Sequence, residues 1–394
     1  MHPIFTRTPS YYKSFRCALG KCKFHCCRGD WKIYIDKVAF EKLHCLGGDL
    51  EPRIKEFIKE KEGASHDGKF GFIDLAAGQA CPFLNADNLC MIHLRWGACF
   101  QGYVCRNYPR KVRRFEEYTE RDLALTCPEA VRLILCETGP IEYVDEMPDE
   151  LNDETETRNH ASTVYPQDLS GLRQQAIQIL QEKDSAVERR LLRLGSFIWN
   201  AALPNSASDA GETWPEMSET DLEKSDQQNG PACLRQAAET VMFSIKMAKW
   251  EEYRPIAAKA LSGLGVNSEQ SVLRITPENV AAYQKGHRES ARILDDAYPY
   301  LLENYLVHEV LDGCLLSKDK LWEDYARLVL SFSVLRLMLS GLLVARGGLD
   351  AGTVIDLITM MKRNLSAPLD LSLHWMKSGD EMKPRNLAQL LATP

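Results

Sequence analysis

"CALGKCKFHCCRGDW", residues Cys17–Trp31, places four cysteines within eleven residues, with Cys26 and Cys27 side by side. Cysteine at this density serves a disulfide framework, a zinc site or an iron–sulfur cluster. Thirteen cysteines occur in 394 residues: eleven lie between Cys17 and Cys136, and only Cys233 and Cys314 lie beyond. The total is odd, and the chain is long enough to build its own core. Its start, MHPIFTRTPSYYKSFRC, lacks a continuous apolar stretch and a cleavage pattern. These features oppose a secreted disulfide scaffold. A cytoplasmic protein is expected, and in a reducing cytoplasm clustered cysteines more often hold metal.

Working outward, WKIYID (Trp31–Asp36) reads as a short strand, and DKVAFEKLHCLGG as a helix closed by Gly47 and Gly48. KFGFIDL, KVRRFEEY and RDLALTC read as further strands or a hairpin. CPEAVRLILC sets Pro128 and Glu129 at the first turn of a helix. An acidic stretch follows, with nine acids and one Arg between Glu137 and Thr163. DLSGLRQQAIQILQ and DSAVERRLLRLGSFIW then carry apolar residues at helical spacing. TPENVAAYQKG has a helix cap at Thr276, Pro277 in the first turn and Gly286 at its end.

The expected fold is therefore mainly α. An irregular cysteine-rich metal-binding module with short strands spans 1–136, and an acidic connector spans 137–165. An all-helical body fills 166–394, with a mobile loop at 204–230 where apolar residues are few.

Charge follows the same division. Residues 1–136 carry 22 Lys and Arg against 16 Asp and Glu, while the whole chain is −7. A basic module suits an anionic thiolate cluster or an acidic partner surface, and scattered charge explains it equally well. The longest apolar run, Leu328–Ala345, approaches spanning length. Arg336 at its centre makes a buried core helix the expected state and a membrane span the unfavoured one.

The cysteine spacing does not match a zinc finger, which needs paired Cys-x2-Cys knuckles or a suitable His pair. It is not the Cys-x3-Cys-x2-Cys loop either: Cys22 and Cys26 fit the first spacing, but Gly29 stands at the third position. Cys81, Cys90, Cys99, Cys105 and Cys127 supply further thiolates, and Pro82, Pro109 and Pro128 closely follow cysteines and stiffen the chain there. His25 and His93 lie near the cysteines and are weaker ligand candidates. Six or more converging cysteines favour iron–sulfur over zinc, which needs four.

CKFHCC, CPFLNADNLCMIH, CRNYPR and LTCPEA together resemble the flagellin lysine-N-methylase family, within a wider group of zinc- or iron-chelating proteins. LLENYLVHEVL is similar to that family's Glu-Asn-Tyr-Leu helix, and ERRLLRLG to its Arg-Leu-rich helix, so the resemblance covers most of the chain. Cys17, Cys22, Cys26, Cys27, Cys81, Cys90, Cys105 and Cys127 match family cysteines, and Cys99 is extra. The wider group shares Cys22, Cys26, Cys27, Cys81, Cys90 and Cys105 most clearly. The resemblance therefore implies metal ligands drawn from these six, with Cys17 and Cys127 in reserve.

It further implies methyl transfer from S-adenosylmethionine to lysine side chains of flagellin, with a [4Fe–4S] cluster as cofactor. A metal-binding redox or scaffold protein without transferase activity is the alternative, and a zinc-binding chaperone-like protein is the third reading. No nucleic-acid partner and no membrane span are expected, and the oligomeric state stays open. No strand–Gly-rich turn–helix fingerprint appears, and SGLGVN (Ser262–Asn267) reads as a helix C-cap. A Rossmann-type donor site is accordingly not expected. Glu303 and Tyr305 are candidates for handling the lysine, although ENYL also fits a core helix with one polar edge.

Overall fold

Strands in this chain are short and cluster in its first half: β1 (Phe5–Pro9), β2 (Trp31–Ile35), β3 (Lys59–Glu60), β4 (Gly71–Leu75), β5 (Arg110–Phe115), β6 (Tyr118–Leu123), β7 (Tyr143–Glu146) and β8 (Val164–Tyr165). The computed structural model describes residues 5–29, 31–63, 69–75, 79–136, 139–147, 164–165, 167–202, 214, 219–269, 273–365 and 383–392. It divides into a first unit of residues 1–130 and 142–167 and a second of residues 131–141 and 168–394.

The first unit holds two sheets. One has the order β7-β1-β6-β5-β8. Its β5 and β6 form an antiparallel hairpin, with Arg110 opposite Leu123 and Arg114 opposite Thr119. β1 joins β6 in parallel and β7 antiparallel. Aromatic stacking fixes this face: Tyr118 lies 5.2 Å from Phe5 and 4.6 Å from Phe115, centroid to centroid. Tyr11 donates to Asp122 at 2.5 Å within it.

The second sheet, β2-β4-β3, is antiparallel. The helices α1 (Lys37–His44), α2 (Glu51–Phe57), α3 (Met91–Trp96) and α4 (Tyr103–Asn107) accompany it. Ile33, Ile35, Leu43, Ile54, Ile73 and Phe83 form its core, and Cys81 is buried among them. These residues alternate along β2 and β4, so one face of each strand is apolar.

The second unit is helical among its described residues. Its elements are the end of α5 (Pro128–Leu135), then α6 (Gln167–Gln181), α7 (Val187–Ala202), α8 (Glu219–Lys246), α9 (Tyr253–Gly263), α10 (Pro277–Ala297), α11 (Leu301–Asp312), α12 (Leu321–Arg346), α13 (Ala351–Leu365) and α14 (Pro384–Ala392). Buried arginines supply donors to helix C-termini, whose last carbonyls lack intrahelical partners. Arg173 reaches Val310 O at 2.6 Å and Cys314 O at 2.9 Å, at the end of α11. Arg190 reaches Leu180 O at 2.7 Å, at the end of α6. Arg336 reaches Leu390 O at 3.0 Å, at the end of α14. Residues 131–141 join this unit because Asn304 donates to Ile134 O and Gln181 to Ile141 O, both at 2.9 Å.

The segment Lys318–Arg346 is long and apolar enough to cross a membrane, but 78% of its apolar window is buried inside the protein. The charge expected at its centre, Arg336, is paired with Glu188 at 3.2 Å.

Two expectations change. The loop expected over 204–230 is helical from Glu219 onward, while 204–213 and 215–218 lie outside the described residues, as does most of the acidic connector. The helix begun at Thr276 does not end at Gly286 but runs to Ala297. Gly286 serves a close approach instead: a Cβ there would stand 2.8 Å from Ser340 O of α12.

Candidate metal centre

The segment CPFLNADNLC folds back on itself. The Asn85 side chain accepts from the backbone N–H groups of Asp87 and Leu89 at 3.0 and 2.8 Å, and Leu84 pairs with Cys90 as an antiparallel bridge. Asn and Asp favour such local turns. The turn carries Cys81 and Cys90 to one place. Cys81 N–H donates to Cys27 O at 2.7 Å, and Arg28 bridges Ala80, so the Cys26–Cys27 pair lies alongside.

Cys105 arrives on α4. Asp36 fixes that helix: one carboxylate oxygen accepts from Ala39 N–H at 2.9 Å and caps α1, and the other accepts from Tyr103 N–H at 2.7 Å. Gly102 lets the chain come this close, because a Cβ there would lie 2.8 Å from Ile35 Cδ1.

Five cysteines, Cys26, Cys27, Cys81, Cys90 and Cys105, line one cavity of about 280 Å³. Its other walls are mostly apolar, among them Ile33, Ile35, Ile73, Phe83 and Ile92. Burial pushes the Cys81 thiol up to about 11, and Cys90 and Cys26 add to the rise. Cys105 is pushed up by burial and then by Cys81, Cys90 and Cys26. Its accessible surface is that of a residue facing an open cavity. Each cause is what a site of mutually close thiols in a low-polarity surround produces.

Cys22 is the one of the six expected ligands that does not line this cavity. It stands near Cys127, whose buried thiol is pushed up to about 12 by burial, with Cys22 and Cys26 contributing. Cys17 and Cys99 are exposed. His93 is exposed, with Nδ1 3.1 Å from Gln101 Oε1, and neither it nor His25 lines the cavity. All thirteen cysteines are outside disulfides.

Among the described residues, no three of these sulfurs fall within 4.8 Å of one another. A single zinc with Zn–S bonds near 2.3 Å holds its four sulfurs roughly 3.8 Å apart. Ligands to different irons of one cluster stand further apart than ligands sharing one ion. Soft thiolate donors along a mostly apolar wall are the donor type that an iron–sulfur group or a zinc ion takes.

Of the lysine-handling candidates, Tyr305 is fully buried with its hydroxyl 2.6 Å from Ser331 Oγ, a core position. Glu303 is bound by Arg190 at 2.6 Å and lines a cavity of the helical unit. Asp36 is not among the residues expected at the site. Its signal was readable, as an Asp directly before an amphipathic helix is a preferred N-cap.

The sequence profile of the FliB lysine N-methylase C-terminal domain matches residues 173–368. The "Flagellar biosynthetic protein FliU" of Salmonella muenchen is 31% identical over 138 residues, which cover 34% of this chain and 79% of that protein. The chain belongs to the FliB lysine N-methylase family. Proteins named "Lysine-N-methylase" from Salmonella typhimurium and Salmonella choleraesuis are each 31% identical over 137 residues, covering 34% of this chain. The chain spans about a third of the length of these two curated relatives. No solved structure matches it.

Proposed function

We propose that this protein is a cytoplasmic protein-lysine methyltransferase that moves methyl groups from S-adenosylmethionine to lysine side chains of flagellin, and that it depends on an iron–sulfur cluster. The observation that carries the cluster is the convergence of Cys26, Cys81, Cys90 and Cys105 on one mostly apolar cavity, where burial and the neighbouring thiols raise Cys81 and Cys105. These four would hold a [4Fe–4S] group, with Cys27 beside them and Cys22 and Cys127 as neighbouring thiols. Membership of the FliB lysine N-methylase family supports the lysine chemistry, and the flagellar name of a relative supports flagellin as substrate.

When bound, the cluster would supply one-electron chemistry. This chain's residues would offer four thiolates to it, line it with a mostly apolar wall and fix α4 through Asp36. For methyl transfer by displacement, the lysine nitrogen must first lose a proton. Its lone pair then forms the N–C bond as the C–S bond of the sulfonium breaks.

The test is anaerobic purification with counts of iron and acid-labile sulfide, together with mass spectrometry of flagellin co-expressed with the protein. Iron and sulfide in the purified protein and methyl increments on flagellin lysines are expected. Stoichiometric zinc without sulfide would remove the cluster. Unmodified flagellin beside an intact cluster would favour a metal-binding protein without transferase activity.

A further inference from the structure

In the helical unit, the start of α7, the middle of α10, the start of α11 and the centre of α12 enclose a cavity of about 310 Å³. That volume is within the range of ligand pockets. Three carboxylates, Glu188, Asp295 and Glu303, and two guanidiniums, Arg190 and Arg336, line it.

Both guanidiniums are already engaged. Arg190 pairs with Glu303 at 2.6 Å and donates to Leu180 O. Arg336 pairs with Glu188 at 3.2 Å and donates to Leu390 O and Leu391 O. Asp295 is the carboxylate left over. It has no ion pair among the described residues, whereas the adjacent Asp296 pairs with Arg292 at 3.7 Å. Asp295 is exposed where it lines the cavity; its partial burial and the nearby charges of Glu188 and Asp296 raise its carboxyl. His287 adds no compensating positive charge near neutral pH, because burial and the Arg336 charge lower it to about 4. Glu303 also has one buried oxygen, Oε1, without a hydrogen-bond partner. The rest of the wall is largely aliphatic, with Leu294, Leu302 and Leu339.

Surplus carboxylate beside an aliphatic wall complements a cationic head on a methylene stem. Resting on the lysine-methylating reading, we propose that this cavity receives the side chain of the substrate lysine, with Asp295 taking its ammonium and the three leucines its stem.

The test is titration of the full chain with Nα-acetyl-L-lysine methylamide, followed by saturation-transfer NMR. Nα-acetyl-L-norleucine methylamide, which lacks the amine, and free L-lysine are run alongside. The lysine methylamide is expected to bind, with the norleucine probe and free L-lysine each at least tenfold weaker. Asp295→Asn should weaken binding roughly tenfold or more, the scale of a lost charged hydrogen bond, and Asp295→Glu should restore most of it. Equal binding of the norleucine probe, or unchanged binding by Asp295→Asn, would overturn the proposal. Free L-lysine binding as tightly as the methylamide would reassign the cavity from peptide-linked lysine to free amino acid and also overturn it. The same variants are assayed on flagellin. If the wild type methylates flagellin and Asp295→Asn does so with unchanged KM, the lysine pocket falls and the methylase reading stands. Specific lysine binding by a protein that transfers no methyl supports the pocket and removes the methylase reading.

Discussion

Asp36 ties two pieces of the cysteine-bearing unit with its two carboxylate oxygens, one capping α1 and the other holding the first N–H of α4. Asp36→Ala removes a cap and leaves the Tyr103 N–H unpaired in a buried place. The expected cost is about 2–3 kcal/mol in chemical denaturation, with less iron per chain because Cys105 is no longer held. Asp74→Ala, which removes an exposed partner 3.6 Å from Lys32, should change neither. Equal behaviour of the two variants would show that α4 is positioned by other contacts. Among the thiols, Cys81→Ser and Cys105→Ser should abolish bound iron, since binding energy at such a site is also folding energy. Cys233→Ser and Cys314→Ser, both buried in the helical unit, should keep wild-type iron content.

The pH dependence of loading has a definite sign. Burial pushes the Cys81 thiol up to about 11, so this group is protonated at neutral pH before metal binds. Thiolate is the ligating form, and each thiol that binds sheds its proton. Reconstitution with ferrous iron and sulfide should therefore give more cluster at about pH 8.5 than at about pH 6.5. The opposite trend would mean that these thiols are not the ligands.

At the scale of elements, the turn within CPFLNADNLC explains why two distant cysteines meet, and its Asn and Asp residues are legible in the sequence as turn formers. The β5–β6 hairpin and the capped start of α10 are legible for the same reason: the signal is local. Gly286 shows where local signals mislead. A glycine at the end of a helical pattern resembles a C-cap, but here it is the only side chain small enough for α12 to pass, and that requirement lies in another helix. Trp214 is a second case. Its polar surroundings read as a mobile loop, and although Trp214 lies outside helix and strand its ring is packed, 5.9 Å from Trp322 and 5.7 Å from Tyr325, with Trp199 4.7 Å from Trp322. Edge-to-face pairs contribute beyond area burial, so Trp214→Ala should cost about 1–3 kcal/mol and lower Tm by several degrees. An unchanged Tm would show that the ring adds nothing to the helical unit.

Across the whole molecule, the uneven distribution of cysteine points to the first unit, where five of the six expected ligands line one cavity and Cys22 does not. What stayed hidden was long-range. β1 pairs in parallel with β6 more than a hundred residues away, a register with no local trace. Arg173 and Arg336 are buried and finish helices distant in sequence, and in the sequence they look like ordinary polar positions of an amphipathic pattern. The cavity around Asp295 gathers residues from four helices, so no motif could mark it. We propose that thiols gathered in one mostly apolar cavity make flagellin methylation possible. The most direct measurement is peptide mapping of unmodified flagellin after incubation with S-adenosylmethionine and either the wild type or Cys105→Ser, both purified anaerobically and shown to be folded. Methyl increments on several flagellin lysines with the wild type and none with the variant are predicted. Equal methylation by both would contradict the claim.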